Sequence, residues 1–297
     1  MWECLELSTC QCSSAYYLGD PAGKSPFMDP QKVKYRNLAD RNTLDGGCDG
    51  SYVWDSVVSL YSRLDLTRKA DKLPALSGIA KREQKRRHGD QYIAGLWRST
   101  LVYDLMWRPS YSSTTWYTRS TAWRCPSWSW ASTDTHISPS WQPIGEKYVT
   151  ILDVSVTLAG SDPTGELLDA YILLSGLVVV AEFTGALPPD RGESLEGELH
   201  CNGHRERFVM DCERDIYEDK GGNRAIRARD SLTCLRLARG NLNSDYVFYL
   251  VLRLEAEGTA QCPPTYKRVG CIEAASERGT STKWHPSGTK PTVLKLV

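Results

Sequence analysis

A cysteine thiolate beside an imidazole makes a nucleophile with its base, and Cys125 and His136 offer those two groups. No sequence signature ties them together. The serines of Pro126-Ser127-Trp128-Ser129-Trp130 sit between bulky neighbours, where a nucleophile elbow needs glycine to make its sharp turn. Metal ligation has one candidate set, His200, Cys201, His204 and Cys212, but zinc sites draw paired ligands from two short knuckles and this spacing fits none of them. The expectation is therefore no metal and no cofactor, with a solvated hairpin carrying incidental His and Cys. Asp211, Glu213 and Asp215 alternate with Arg214 beside a turn, the pattern of a solvated surface rather than of paired glycosidase acids. Neither phosphate-cradling glycine pattern, Gly-x-x-x-x-Gly-Lys-Ser/Thr or Gly-x-Gly-x-x-Gly, occurs. Five cations fall within Lys81 to Arg87, dense enough for a nuclear-import signal or a phosphate contact, or simply the exposed end of a helix.

The other unusual group is aromatic. The chain holds 10 Trp, and Trp97, Trp107, Trp116, Trp123, Trp128, Trp130 and Trp141 share one window. An indole buries a large surface and seeks a partner for its N–H, so this density predicts either an aromatic core or an aromatic contact surface. As a contact surface its members are Trp97, Trp107, Trp123, Trp128 and Trp130. Trp128 and Trp130, two apart, would share one face of an extended segment and plug a seam between helices and sheet.

Those residues need elements to hold them. Positions 1–50 carry Gly, Asp, Ser and Pro clusters without a sustained period and read as loop. Trp54, Val57, Val58, Tyr61 and Leu64 recur at helical spacing, with Ser51 or Gly50 placed to cap. A second helix is expected from Asp71, with Pro74 in its first turn, Leu73, Leu76, Ile79 and Ala80 facing inward, and the basic run at its end. A third is expected over about 91–107, where Gly95 admits a neighbouring backbone. Beyond Trp141 the period changes from 3.6 to 2. Leu152, Val154, Val156 and Leu158 alternate with Asp153, Ser155 and Thr157. Further strands are expected over Tyr171 to Phe183, Arg205 to Asp211, Leu232 to Leu237, Tyr246 to Leu254, Tyr266 to Glu273 and Thr292 to Val297. The fold class is thus α+β: a small helical segment packed on an antiparallel β-sandwich or barrel-like region, divided as 1–50 irregular, 51–140 helical and Trp-rich, and 141–297 β-rich.

Composition bounds the partners. A formal net charge of 0 gives no electrostatic reason to expect nucleic acid. The longest apolar run is interrupted by Ser175, Gly176 and Glu182 and falls short of the roughly 20 residues of a spanning helix, so no membrane partner is expected. The start Met-Trp-Glu-Cys-Leu-Glu-Leu lacks the features of a secretory signal. The scattered 10 Cys lack the density of a disulfide scaffold. Together these point to a cytoplasmic protein with reduced thiols.

Four blocks resemble the region that follows the conserved domain of fungal heterokaryon-incompatibility (HET) proteins. They are Trp2-Glu3-Cys4; Tyr61-Ser62-Arg63 with Leu66-Thr67 and the run Asp71 to Ala80; Tyr92-Ile93-Ala94-Gly95-Leu96-Trp97; and Pro126-Ser127-Trp128-Ser129-Trp130-Ala131-Ser132. A looser match over Leu232 to Leu237 and Tyr266 to Glu273 is similar to the β-rich tail of that family. The hallmark HET domain, with its Ser-Tyr-Cys-Trp-Gly-like and Trp-Val-Asp-like strands, has no counterpart in the sequence. To that domain the family's TIR-like character and cell-death triggering are ascribed. The resemblance implies a chain that begins where the domain ends, as a truncated or remnant form. It also implies a non-catalytic accessory or recognition module of fungal non-self recognition, with a protein partner. The alternative is an enzyme or small-molecule-binding protein of secondary metabolism, with the Trp-rich window as an apolar pocket.

Overall fold

The computed structural model describes residues 2–3, 8–9, 51–110, 119, 122–138, 144–186, 195–212, 226–240, 246–275, 284 and 289–297. By its contacts the chain divides into two compact units, Met1–Tyr61 and Ser62–Val297. In the first unit, β1 (Trp2–Glu3) pairs antiparallel with β2 (Ser8–Thr9). The rest of the loop expected over 1–50 lies outside the described residues. Helix α1 (Ser51–Tyr61) buries Val53, Trp54, Val57 and Val58, the stripe its period requires.

The second unit is built on a closed six-strand barrel. Its strands are β10 (Val178–Ala186), β11 (Glu196–Cys201), β12 (His204–Met210), β13 (Ser231–Gly240), β14 (Tyr246–Ala256) and β15 (Thr265–Ala275). Around the circle the order is β10-β11-β12-β15-β14-β13 and back to β10, and every pairing is antiparallel. Alternation sends Ala181, Phe183, Leu199, Phe208, Leu232, Val251 and Val269 into the interior. Each large apolar side chain so buried contributes about 1.5–3 kcal/mol. Phe183 and Phe208 meet edge-to-face at 6.0 Å. A Cβ on Gly197 would lie 2.4 Å from the Phe208 ring and 2.8 Å from that of Phe183, so only glycine leaves room for both rings. Trp284 packs on Tyr249 at 5.7 Å.

Four more strands extend the sheet: β7 (Ile144–Lys147), β8 (Val149–Leu158), β9 (Leu167–Gly176) and β16 (Thr292–Leu296). Strand β7 pairs with the end of β13. Strand β16 joins β15 in parallel through Thr265–Lys295 and Tyr266–Leu296, then carries β9 and β8 as a three-stranded leaf. The expected single strand over Tyr171 to Phe183 is two, β9 and β10. In β8 the register slips between Ile151 and Asp153. Leu152, expected to face inward, therefore stands 47% exposed and Ile151 takes the inner position.

The segment 62–138 is less helical than its period suggests. Instead of one helix from Asp71, 3-10 turns span Lys69–Lys72 and Pro74–Leu76, and α2 runs over Ser77–Arg86. Leu73, Leu76 and Ala80 are buried as expected, whereas Ile79 is 39% exposed. The start of α2 is held from outside. Asp162, in the β8–β9 turn, accepts from Ser77 Oγ and Lys81 Nζ, each at 2.7 Å, and from the amide and hydroxyl of Thr164. The expected helix over 91–107 is instead the tight hairpin β3 (Tyr92–Ile93) and β4 (Leu96–Trp97), followed by α3 (Leu101–Asp104). Ala94 and Gly95 form its turn, both with positive φ, 49° and 94°. A last short pair joins β5 (Arg108–Pro109) to β6 (Ile137–Ser138).

Candidate functional site

The tryptophan window is built from interlocking backbone contacts. The Trp130 indole N–H donates to Gly95 O at 2.9 Å, and Ser129 Oγ donates to Ala94 O at 2.6 Å. The Pro126–Ser132 block thereby grips both turn residues of the hairpin. A Cβ on Gly95 would sit 2.7 Å from Trp130 Nε1. The small residue that a helical pattern offers to a neighbouring backbone makes room instead for an indole. Ser129 Oγ also accepts from the Ala131 amide at 3.1 Å and caps the 3-10 turn Trp130–Ser132. The Trp107 indole donates to Trp128 O at 2.8 Å. Asp104, at the end of α3, accepts from the Trp97 amide at 2.7 Å. Burial raises the Asp104 carboxyl to about 7, opposed by that amide and by the Arg87 guanidinium.

These contacts correct the aromatic-surface expectation. Trp97, Trp107, Trp128 and Trp130 are all essentially buried and present no contact surface; among the five only Trp123 is open, at 52%. Trp116 and Trp141 lie outside the described residues. Trp128 and Trp130 do not share a face of an extended segment, because a turn at 127–128 leads directly into the 3-10 turn at Trp130.

A buried guanidinium joins this block to the barrel. Arg268 of β15 is fully buried. It donates to Asp211 from Nε at 2.9 Å and from Nη2 at 3.2 Å, and to the carbonyls of Leu105 at 2.6 Å and Trp107 at 2.5 Å. Its Cζ lies over the Trp107 ring, 3.6 Å from the ring centre. Arg119 adds a bond to Arg268 O at 3.0 Å and to Ser132 Oγ at 2.6 Å, and lies 3.5 Å from Asp211. Ser127 completes the tie: its Oγ accepts from the Arg268 amide at 2.9 Å and donates to Val297 O. Asp211, read from the sequence as a solvated acid, is an interior counter-ion; Glu213 and Asp215 lie outside the described residues.

The surroundings of the sequence candidates for chemistry do not favour it. Burial raises the Cys125 thiol, disfavouring the thiolate that a nucleophile requires. Burial also lowers His136, helped by Arg63 and Lys72. In the β11–β12 hairpin, strand alternation puts His200 on the face opposite Cys201 and its cross-strand partner His204. Among the described residues no cluster of His, Cys, Asp and Glu is placed to hold a metal. The basic run is partly neutralised: Arg86 and Arg87 pair with Glu83 at 3.0 and 3.1 Å, and Arg87 lies 5.0 Å from the Trp97 ring.

Among the described residues a small cleft of about 50 Å³ opens beside Trp123. Leu73, Pro74, Arg124, Glu166 and Leu167 help to line it. Arg124 is occupied elsewhere, donating to the carbonyls of Ala131 (2.8 Å), Lys69 (2.9 Å) and Thr133 (3.3 Å) and pairing with Asp134 at 2.9 Å. Neighbouring Lys72 donates to Thr133 O. Burial lowers Lys72 to about 8; Arg124 adds to the shift and Asp134 opposes it. Glu166 was not singled out by sequence reasoning, and neither were Arg268, Arg119 or Asp104. The only mark of Arg268 was its place in the strand-like stretch Tyr266 to Glu273.

Comparison of the chain with family models, with curated proteins and with solved structures finds no match.

Proposed function

We propose that this chain is a non-catalytic recognition module of the heterokaryon-incompatibility type, acting in fungal non-self recognition through protein contact. The observation that carries the reading is where the resembling blocks lie. Tyr92–Trp97, Pro126–Ser132 and Tyr266–Glu273 are far apart in sequence, yet they meet through Gly95–Trp130 and Ser127–Arg268. Residues that share a family pattern because they brace one another make a scaffold, and a scaffold of this size acts by what it displays. Among the described residues the most exposed large aromatic side chain is that of Trp123.

The second reading, a small-molecule site in the aromatic window, has less in its favour. Trp128 and Trp130 pack against protein, and the cleft beside Trp123 is far smaller than the roughly 300–1,000 Å³ of a ligand pocket. A cytoplasmic setting is part of the proposal; among the described residues no helix is long and apolar enough to cross a membrane.

The test is made in a filamentous-fungal host. Strains carrying the intact chain or Trp123→Ala are confronted, the viability of hyphal fusions is scored, and neighbours are recorded by proximity labelling. The expected result is altered fusion viability with the intact chain, and a discrete set of labelled proteins lost in the variant. Unchanged viability with identical labelling from both chains would overturn the reading.

A further inference from the structure

We propose that the Trp123–Glu166 cleft receives the cationic side chain of a lysine or arginine on a partner protein. This rests on the protein-contact reading and names the chemistry of the contact. Three observations on the cleft point to a cation.

The first is the indole. Trp123 is half-exposed at the cleft while its four companions are buried. An open indole face attracts ammonium and guanidinium groups, and more strongly so where part of their hydration is removed.

The second is charge. Two ionisable groups line the cleft, Arg124 and Glu166. The Arg124 guanidinium is turned onto three carbonyls and Asp134, so its charge is compensated within the protein. Of the two nearby lysines, Lys72 is buried and directed at Thr133 O, and Lys69 pairs with Asp65 at 2.7 Å. The Glu166 carboxylate is exposed, and among the described residues it has no hydrogen bond or ion pair through its side chain. The charge left for a visitor is negative.

The third is size and lining. Leu73, Pro74 and Leu167 give an apolar wall, and about 50 Å³ holds a few waters or the end of one side chain, not a whole ligand. A lysine or arginine matches all three: a methylene stem for the wall, a cation for the ring, and donors for Glu166. An acidic side chain would meet Glu166 with like charge, and a purely apolar one would leave that carboxylate partly desolvated without a partner.

The experiment uses the full chain, isotope-labelled, with the Trp123 indole N–H and the Leu167 amide followed by NMR. Blocked tripeptides Gly-X-Gly, with X as lysine, arginine, norleucine or glutamate, are titrated into the millimolar range. The lysine and arginine peptides are expected to shift both signals in a saturable way that weakens with added salt, and the norleucine and glutamate peptides are not. Glu166→Gln should weaken lysine binding about threefold to fivefold, as loss of an exposed ion pair does. Trp123→Leu keeps the wall but removes the ring, and should weaken it by a similar factor at the Leu167 amide. Equal response to norleucine and lysine, unchanged in Glu166→Gln, overturns the cationic assignment and leaves the protein-contact reading standing. Preference for the glutamate peptide, or no saturable shift with any peptide, also overturns the assignment. The fusion assay judges the contact reading separately.

Discussion

Removing the Arg268 guanidinium should be among the most damaging single changes this protein can suffer. Arg268→Met keeps the stem and its packing but deletes the two bonds to Asp211 and the donors to Leu105 O and Trp107 O. Asp211 would remain fully buried, facing only Arg119 at 3.5 Å. Breaking a buried ion pair from one side costs about 3–5 kcal/mol, because the surviving charge is left without compensation. The two orphaned carbonyls add part of a further 1–3 kcal/mol or so each. A loss of about 4 kcal/mol or more is therefore expected, against a total stability of about 5–15 kcal/mol. In urea, with a slope near 3 kcal/mol/M, the unfolding midpoint should fall by about 1.3 M or more. Tryptophan fluorescence is the natural probe, since Trp107 stacks on the group removed. The double change Arg268→Met with Asp211→Leu takes away both charges and should cost less than the sum of the two single changes. A midpoint shift below about 0.3 M for Arg268→Met, or a double variant showing the full sum, would refute the idea that an uncompensated interior charge dominates the energetics here.

Gly95→Ala should destabilise by at least about 2 kcal/mol in the same titration, since its φ is positive and its new Cβ would meet the Trp130 indole. Ala94→Gly, also at positive φ, should be neutral or slightly stabilising. Asp104 has a folded pKa of about 7, above its unfolded value of 3.8. The folded state therefore holds the proton more tightly, and stability should decline as pH rises from about 4 through 7, by an amount on the order of 4 kcal/mol. Thermal melts of Asp104→Asn across that range should lose this slope. Asp162 has the opposite sign: the Lys81 ammonium, with the Thr164 and Ser77 donors, holds its carboxyl well below the usual range. Its stabilisation is present above pH 3.8 and is lost as pH falls through the lowered folded value; Asp162→Asn should flatten the acid limb of a pH–stability profile.

The β-rich half was legible because a strand writes its two faces directly into alternate residues. The strands over 246–256 and 265–275 were found almost to their ends by that rule. Where the backbone inserts a residue, as at Leu152, the rule still finds the strand but places one side chain wrongly. Nothing in a period of 2 marks a bulge. The Tyr92–Trp97 hairpin was misread as helix because its apolar residues also fit a helical stripe. What decides between the two is the indole of Trp130, which is 35 positions away and invisible to a local window. The tryptophan density suggested either core or surface, and the structure answers residue by residue: four inside, Trp123 outside. Arg268 was beyond reach, since an arginine in a strand ordinarily faces water and only its distant counter-ion Asp211 explains its burial.

The tie between the tryptophan block and β15 also sets an order of events during synthesis. Residues 105–132 leave the ribosome well before Arg268 does, and the barrel cannot close until β15 reaches β12. At about 5–20 residues per second, the 136 positions between 132 and 268 take roughly 7–27 s to make. Throughout that interval Trp107 is on the nascent chain without the guanidinium that later binds its carbonyl and lies over its ring, and apolar surface left open in this way is what makes partly made chains prone to misassembly.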